Sequence, residues 1–146
     1  MGYKFDEKTG EFVLDNECST NSSLSCLRYT NKHLWIRVTG AEAYVGITNY
    51  AQSKILGEIV FIDINREGDI VKQNEVFGSV ESVKTAYDLN MPVMGEILEV
   101  NDVIIDRPEL VNSDPYGKGW LIKIRISQLA QLNSLLDEKG YQALIG

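Results

Sequence analysis

The 146-residue sequence predicts a mostly β fold, a sandwich with short peripheral helices and a helix near the C-terminus. Two observations carry this. From Leu34 to Ile126 the chain passes through short stretches rich in Val, Ile and aromatic residues, bounded by Gly, Pro or Asn, which is the pattern of strands joined by turns. One stretch also recurs: Gly57-Glu58-Ile59-Val60 is echoed by Gly95-Glu96-Ile97-Leu98, so two strands begin alike and two related halves are expected. Apolar residues, 44% of the chain, suffice for one core of this size.

Residues 1–27 are rich in Ser, Asn, Thr and acidic side chains with weak periodicity, and are read as an extension that is loosely ordered or drapes over a domain of residues 28–146. The segment Leu34-Trp35-Ile36-Arg37-Val38, a turn at Gly40, and Ala43-Tyr44-Val45-Gly46-Ile47 read as a β-hairpin. Thr48 is placed to cap a short helix over Asn49 to Ile55, because Tyr50, Ala51 and Ile55 fall at helical spacing and Gly57 can end it. Glu58 to Ile64 is the next strand, and Arg66-Glu67-Gly68-Asp69 is a turn.

Glu75 to Val83 reads as an alternating strand, with Val76, Gly78 and Val80 on one side and Phe77, Ser79 and Glu81 on the other. Val93 to Val100 and Trp120 to Ile126 add two more. Behind a Ser127 cap, Leu129, Leu132, Leu135 and Leu136 recur at helical spacing and predict an amphipathic helix laid on the sheet.

Charge narrows the function. With 21 acidic against 14 basic residues the net charge is -7, which argues against a nucleic-acid or anionic-membrane surface. No apolar run is long enough to span a membrane, and the polar start does not read as a secretory signal, so an intracellular, cytoplasmic protein is expected, or a mitochondrial one in a eukaryote. Cys18 and Cys26 sit in a polar run with only one histidine in the chain to help them, which disfavours zinc and leaves reduced thiols the favoured state. That histidine, His33, lacks a recognisable nucleophile partner and is expected to pack or hydrogen-bond beside Trp35 in the first strand. No catalytic residue and no metal site is expected.

The informative stretch runs from Glu81 to Ile97. Two strand-like runs enclose Lys84, which places it at a hairpin tip with its amine toward solvent. A carrier lysine needs that presentation, since a modifying enzyme and later several partner active sites must each enclose it. An exposed lysine alone signifies nothing. The surrounding runs do: Val45-Gly46-Ile47-Thr48, Ala51-Gln52, Leu56-Gly57-Glu58-Ile59-Val60-Phe61, Glu81-Ser82-Val83-Lys84, Pro92-Val93-Met94-Gly95-Glu96-Ile97, Pro108-Glu109-Leu110-Val111-Asn112-Ser113, Pro115-Tyr116 and Gly119-Trp120. Over roughly residues 29–145 the chain closely resembles the H-protein family of the glycine cleavage system. Biotin carriers, which flank their lysine with Met, and the lipoyl domains of 2-oxo-acid dehydrogenases, which place Asp before it, are less similar.

The resemblance implies a lipoyl-carrier sandwich, a barrel-sandwich hybrid, with lipoate joined to Lys84 as an amide. It implies that Glu81 helps the attaching enzyme choose this lysine. Related lipoyl domains keep glycines at the positions of Gly68 and Gly95, 16 residues before and 11 after Lys84, although both also suit an ordinary turn or strand edge. The implied partners are glycine decarboxylase, aminomethyltransferase, dihydrolipoamide dehydrogenase, and a lipoate ligase or octanoyltransferase. The arm would carry the aminomethyl group of glycine among them, and the protein would be a carrier and not an enzyme.

Two positions depart from the family. Leu34 stands where members commonly have Glu in His-Glu-Trp, and Lys54 where a His follows the Ala-Gln pair; both lie near the cleft that shelters the loaded arm in the family. A leucine cannot stabilise a cationic methylamine and a lysine repels it. The alternatives of a lipoate-binding carrier of sulfur in a heterodisulfide-reductase-like system, of a lipoate donor to other lipoyl domains, and of an unmodified interaction module therefore stay open at this point.

Overall fold

The structure is a computed structural model that describes residues 27–145 and, as backbone alone, Tyr3–Asp6 and Glu11–Leu14. Those two short segments are strands β1 and β2, paired antiparallel with Tyr3 opposite Leu14. The hairpin lies within the stretch read as an extension, and β1 runs beside the leucine-rich turn near the C-terminus. Cys18 and Cys26 lie outside the described residues.

Among the described residues, nine further strands make two antiparallel sheets. They are β3 (Leu27–Tyr29), β4 (Leu34–Thr39), β5 (Glu42–Ile47), β6 (Ile59–Ile64), β7 (Ile70–Val71), β8 (Val76–Ser82), β9 (Ala86–Asn90), β10 (Gly95–Val100) and β11 (Ile122–Ile126). One sheet runs β3-β4-β5-β11-β10-β7 and the other β6-β8-β9. Leu34, Ile36, Val45, Ile97 and Ile124 from the first meet Ile62, Phe77, Val80 and Leu89 from the second in one core. The predicted mostly β sandwich is the fold observed.

The echo in sequence is an echo in structure. β6 shifts register between Ile59 and Phe61, and β10 between Ile97 and Glu99, so each strand bulges at the fourth residue of its repeat, Val60 or Leu98. A bulge bends a strand and sharpens its twist, so the two sheets curl at equivalent places although they have different partners.

Four local expectations change. β8 does not alternate as predicted: its pairing with β9 shifts register between Val76 and Gly78, so Phe77 and Val80 both turn into the core while Val76 is exposed. Hydrophobic alternation holds only where no residue is inserted into the ladder. The short helix after Thr48 forms, and Thr48 Oγ1 accepts from the Ala51 amide at 3.2 Å, but its body, Ala51–Leu56, is a π-helix that closes when Gly57 N donates to Gln52 O at 2.8 Å. Strands β10 and β11 begin two residues later than predicted, at Gly95 and Ile122.

The leucine segment is the fourth. It is a 3-10 helix, Leu129–Ser134, capped by Gln128 without a side-chain bond, so Ser127 does not serve as the cap. With three residues per turn, Leu129 and Leu132 fall on one side, with Leu132 wholly buried. The C-terminal α-helix lies beyond it. This is α3, Glu138–Ile145, whose first turn is closed by Asp137 Oδ1 accepting from Gly140 N at 2.8 Å. Two one-turn helices, α1 (Asp102–Asp106) and α2 (Glu109–Ser113), complete the fold. Among the described residues no helix is long and apolar enough to cross a membrane.

The outer face of β3 and β4 carries a second, aromatic cluster. Trp35 points away from the Leu34 and Ile36 core into a layer with Leu27, Tyr29 and Tyr141, where α3 covers it. The Tyr29 and Tyr141 rings stack 4.6 Å apart, and the Trp35 indole donates to Pro115 O at 3.0 Å. Both faces of β4 are thus buried over its first three residues, Leu34, Trp35 and Ile36.

Candidate functional site

Lys84 occupies the tight bend between β8 and β9, where Glu81 pairs with Ala86 and Val80 with Tyr87. Ser82 shapes the bend. Its amide donates to Thr85 O at 2.8 Å, and its hydroxyl oxygen accepts from the amides of Lys84 at 3.2 Å and Thr85 at 3.1 Å. A short hydroxyl side chain is suited to this, because it reaches backbone amides two and three residues on and replaces ladder bonds that the turn must give up. A further bond, Val83 N to Glu58 O at 3.0 Å, ties the tip to the start of β6.

The tip itself is open. Val83, Lys84 and Thr85 are exposed, and among the described residues the Lys84 amine meets no carboxylate and no hydrogen-bond acceptor. Its aliphatic stem folds back over Gly57, where a Cβ would lie 3.7 Å from Lys84 Cε. The sequence placed the amine toward solvent; it did not foresee that the stem would rest on the residue that ends the π-helix.

Of the other predicted residues, Glu81 stands at the base of the tip, exposed, opposite Phe61 on β6 and Ala86 on β9. Gly68 and Gly95 belong elsewhere. Gly68 has φ 92° in the turn before β7 and donates its amide to Ile97 O at 2.7 Å. Gly95, in β10, approaches β11 so closely that a Cβ would lie 2.6 Å from Arg125 O. Each has a backbone reason to be glycine, at the β7 and β10 end of the larger sheet, whereas Lys84 and Glu81 ride on the smaller one.

Leu34 is wholly buried in the core, so its position offers neither charge nor surface to a ligand. Lys54 is exposed in the last turn of the π-helix, on the rim of a cleft of about 340 Å³ walled by Tyr29, Tyr50, Tyr116 and Tyr141. His33 adopts φ 66°, and its Nδ1 lies 2.9 Å from the Tyr141 hydroxyl, which in turn lies 2.7 Å from Thr48 Oγ1. Burial, with a smaller contribution from Lys32, lowers the His33 pKa, so the ring favours the neutral form. The histidine hydrogen-bonds as expected, from the turn just ahead of β4, and its partner is Tyr141 of α3.

Sequence reasoning missed Tyr87. Three residues after Lys84, its ring packs against the main core and its hydroxyl donates to Lys32 O at 2.6 Å. Burial raises its pKa and keeps the phenol protonated as that donor. An aromatic residue in a strand reads as generic sheet material, and its distant acceptor is a backbone atom that no side-chain pattern marks.

With this geometry in hand, the chain can be set beside known proteins. A family model described as Glycine cleavage H-protein matches residues 27–146. A glycine cleavage system H protein of Bacteroides fragilis is 54% identical over 119 residues, which cover 82% of this chain and 94% of that protein. One of Chlorobium limicola is 54% identical over 122 residues, with the same shares. The crystal structure of a glycine cleavage system H protein from Mycobacterium marinum superposes with a TM-score of 0.77 at 34% identity, covering 84% of this chain and 98% of that one.

Proposed function

The chain belongs to the glycine cleavage H-protein family, and from that premise we propose that Lys84 is the residue through which it works, as the attachment point of a lipoyl group. The protein is a lipoyl carrier of glycine cleavage; relatives named for that system, on both sequence and structure, favour it over carriage of sulfur. The single observation that carries the Lys84 assignment is its presentation: an exposed amine, free of ion pairs among the described residues, on a hairpin tip pinned from within by Ser82 and from beside by Glu58.

The residues fit the group. Lys84 would hold it by an amide, and its exposed stem passes over Gly57, which has no side chain for a long arm to displace. When bound, the dithiolane supplies the acceptor chemistry for the aminomethyl group of glycine. This chain's own residues do the remainder: Ser82 fixes the bend, Glu81 stands where an attaching enzyme would read it, and tethering raises the local concentration of whatever the arm bears. Glycine decarboxylase, aminomethyltransferase, dihydrolipoamide dehydrogenase and a lipoate ligase or octanoyltransferase are the proposed partners. Residues 28–146 are the proposed carrier domain.

Leu34 and Lys54 bear on how the arm is sheltered, not on whether it is attached. A core leucine and an exposed lysine provide no carboxylate berth at those two positions.

The test is intact mass after incubation with a lipoate ligase, lipoic acid and ATP. The wild-type protein should gain one lipoyl group, and Lys84→Arg, which keeps the charge and the fold, should gain none. Modification of Lys84→Arg at another lysine would defeat the assignment. The lipoylated protein should then accept the aminomethyl group from glycine in the presence of a glycine decarboxylase.

A further inference from the structure

We propose that Tyr87 is a positioning residue for Lys84: its hydroxyl braces the outer strand of the lysine hairpin against the turn before β4 and so fixes how the tip is aimed at an enclosing enzyme. The proposal rests on the reading of Lys84 as the attachment site.

β9 is the outer strand of the three-stranded sheet, next to β8 and remote from β6. On the β6 side the tip is held by Val83 N to Glu58 O. The β9 side is held by Tyr87, whose hydroxyl reaches Lys32 O at 2.6 Å across 55 residues of sequence. The hairpin is therefore tied down on both flanks, and the second tie crosses from the small sheet to the large one.

The acceptor belongs to a hydrogen-bonded turn. Thr30 Oγ1 accepts from the amides of Lys32 and Leu34, both at 3.2 Å, and Thr30 N donates to Leu34 O at 2.9 Å. Leu34, the next residue but one after Lys32, is rooted in the core with no exposed surface. A brace is only as stiff as its anchor, and this anchor is a closed turn rooted in the core. Tyr87 is the second residue of β9 and only three residues from Lys84 in the bend, close enough for a small tilt of β9 to displace the tip. The phenol is the part that matters: the ring could pack on the core without its oxygen, but only the hydroxyl spans to the turn.

The experiment compares wild-type protein with Tyr87→Phe, which keeps the ring and removes one hydrogen bond. Rates of lipoylation by a purified lipoate ligase with lipoic acid and ATP are measured against the concentration of the carrier, together with NMR order parameters for Val83, Lys84 and Thr85. Loss of one such bond should raise KM for the carrier about two- to tenfold, with kcat unchanged and order at the tip reduced. Because the carrier is the substrate of the ligase, a structural loss alone would lower the competent concentration and raise the apparent KM in proportion. KM is therefore expressed per folded protein, measured by circular dichroism, and a rise that disappears on that scale overturns the proposal. Equal KM for the two proteins overturns the proposal. If the wild-type protein gains no lipoyl group, it is the Lys84 reading that fails, and the brace is decided by the order parameters, where unchanged values overturn it as well.

Discussion

The stem of Lys84 passes over the open side of Gly57, 3.7 Å from where a Cβ would stand, and the φ of 71° and ψ of -145° at Gly57 place it in a region that side-chain-bearing residues rarely enter. The residue that ends the π-helix also underlies the lysine proposed to carry the lipoyl group, and the two roles can be separated. A Cβ at Gly57 would meet Lys84 Cε at 3.7 Å, an ordinary contact, so the cost of Gly57→Ala is conformational and not steric. It should destabilise the fold by about 1 to 3 kcal/mol, read by urea denaturation. The folded fraction should still be lipoylated at Lys84, because the contact beneath the stem is tolerated.

Ser82 gives a sharper local effect. Its hydroxyl oxygen takes the amides of Lys84 and Thr85, and Ser82→Ala leaves both without that acceptor at an exposed turn where water can replace it. Global stability should fall by only about 1 kcal/mol. Hydrogen exchange at the Lys84 and Thr85 amides should accelerate several-fold, while amides in β4 and β5 keep their protection. Ser82→Thr, which retains the hydroxyl, should restore the slow exchange.

Gly46 answers for packing behind the site. On β5, opposite Trp35, it leaves no room at all: a Cβ would stand 2.4 Å from Trp35 Cζ2, and the indole is wholly buried and bonded to Pro115 O. Gly46→Ala must push the ring from its seat, at a cost of about 1 to 3 kcal/mol. Circular dichroism melts should show the loss, and a red shift in tryptophan fluorescence would report the displaced indole. An unchanged melt would contradict this packing.

These cases show what the sequence could and could not carry. The hairpin of β4 and β5 was legible because β-branched and aromatic residues flank Gly40, and the place of Lys84 at a hairpin tip because two strand-like runs enclose it. The bulges were not, since an inserted residue alters the facing of Phe77 and Val80 without altering composition. The leucines at 129, 132 and 135 satisfy both a 3-10 and an α spacing over so short a run, and tertiary packing chose the former. The helix that follows carries a weaker signal, Asp137 as cap with Glu138 in the first turn, next to a stronger leucine pattern. Tyr87 and His33 act through partners 55 and 108 residues away, a relation that only the folded chain reveals.

His33 supplies a pH dependence with a definite sign. Burial lowers its pKa in the folded protein below the ordinary value of 6.5. Above that value the ring is neutral in both states, and its clasp on Tyr141 is fully present. As pH falls through 6.5 and then through the lower folded value, the unfolded chain takes up a proton that the folded one resists, so stability declines. Replacing His33 by Asn removes the titration while suiting the backbone, since Asn tolerates the positive φ of 66° better than most residues. The variant should be less stable than wild type at pH 7.5, for want of the imidazole contact, yet its melting temperature should fall less between pH 7.5 and pH 5.5. Equal falls in the two proteins would show that carboxylates alone govern the acid limb.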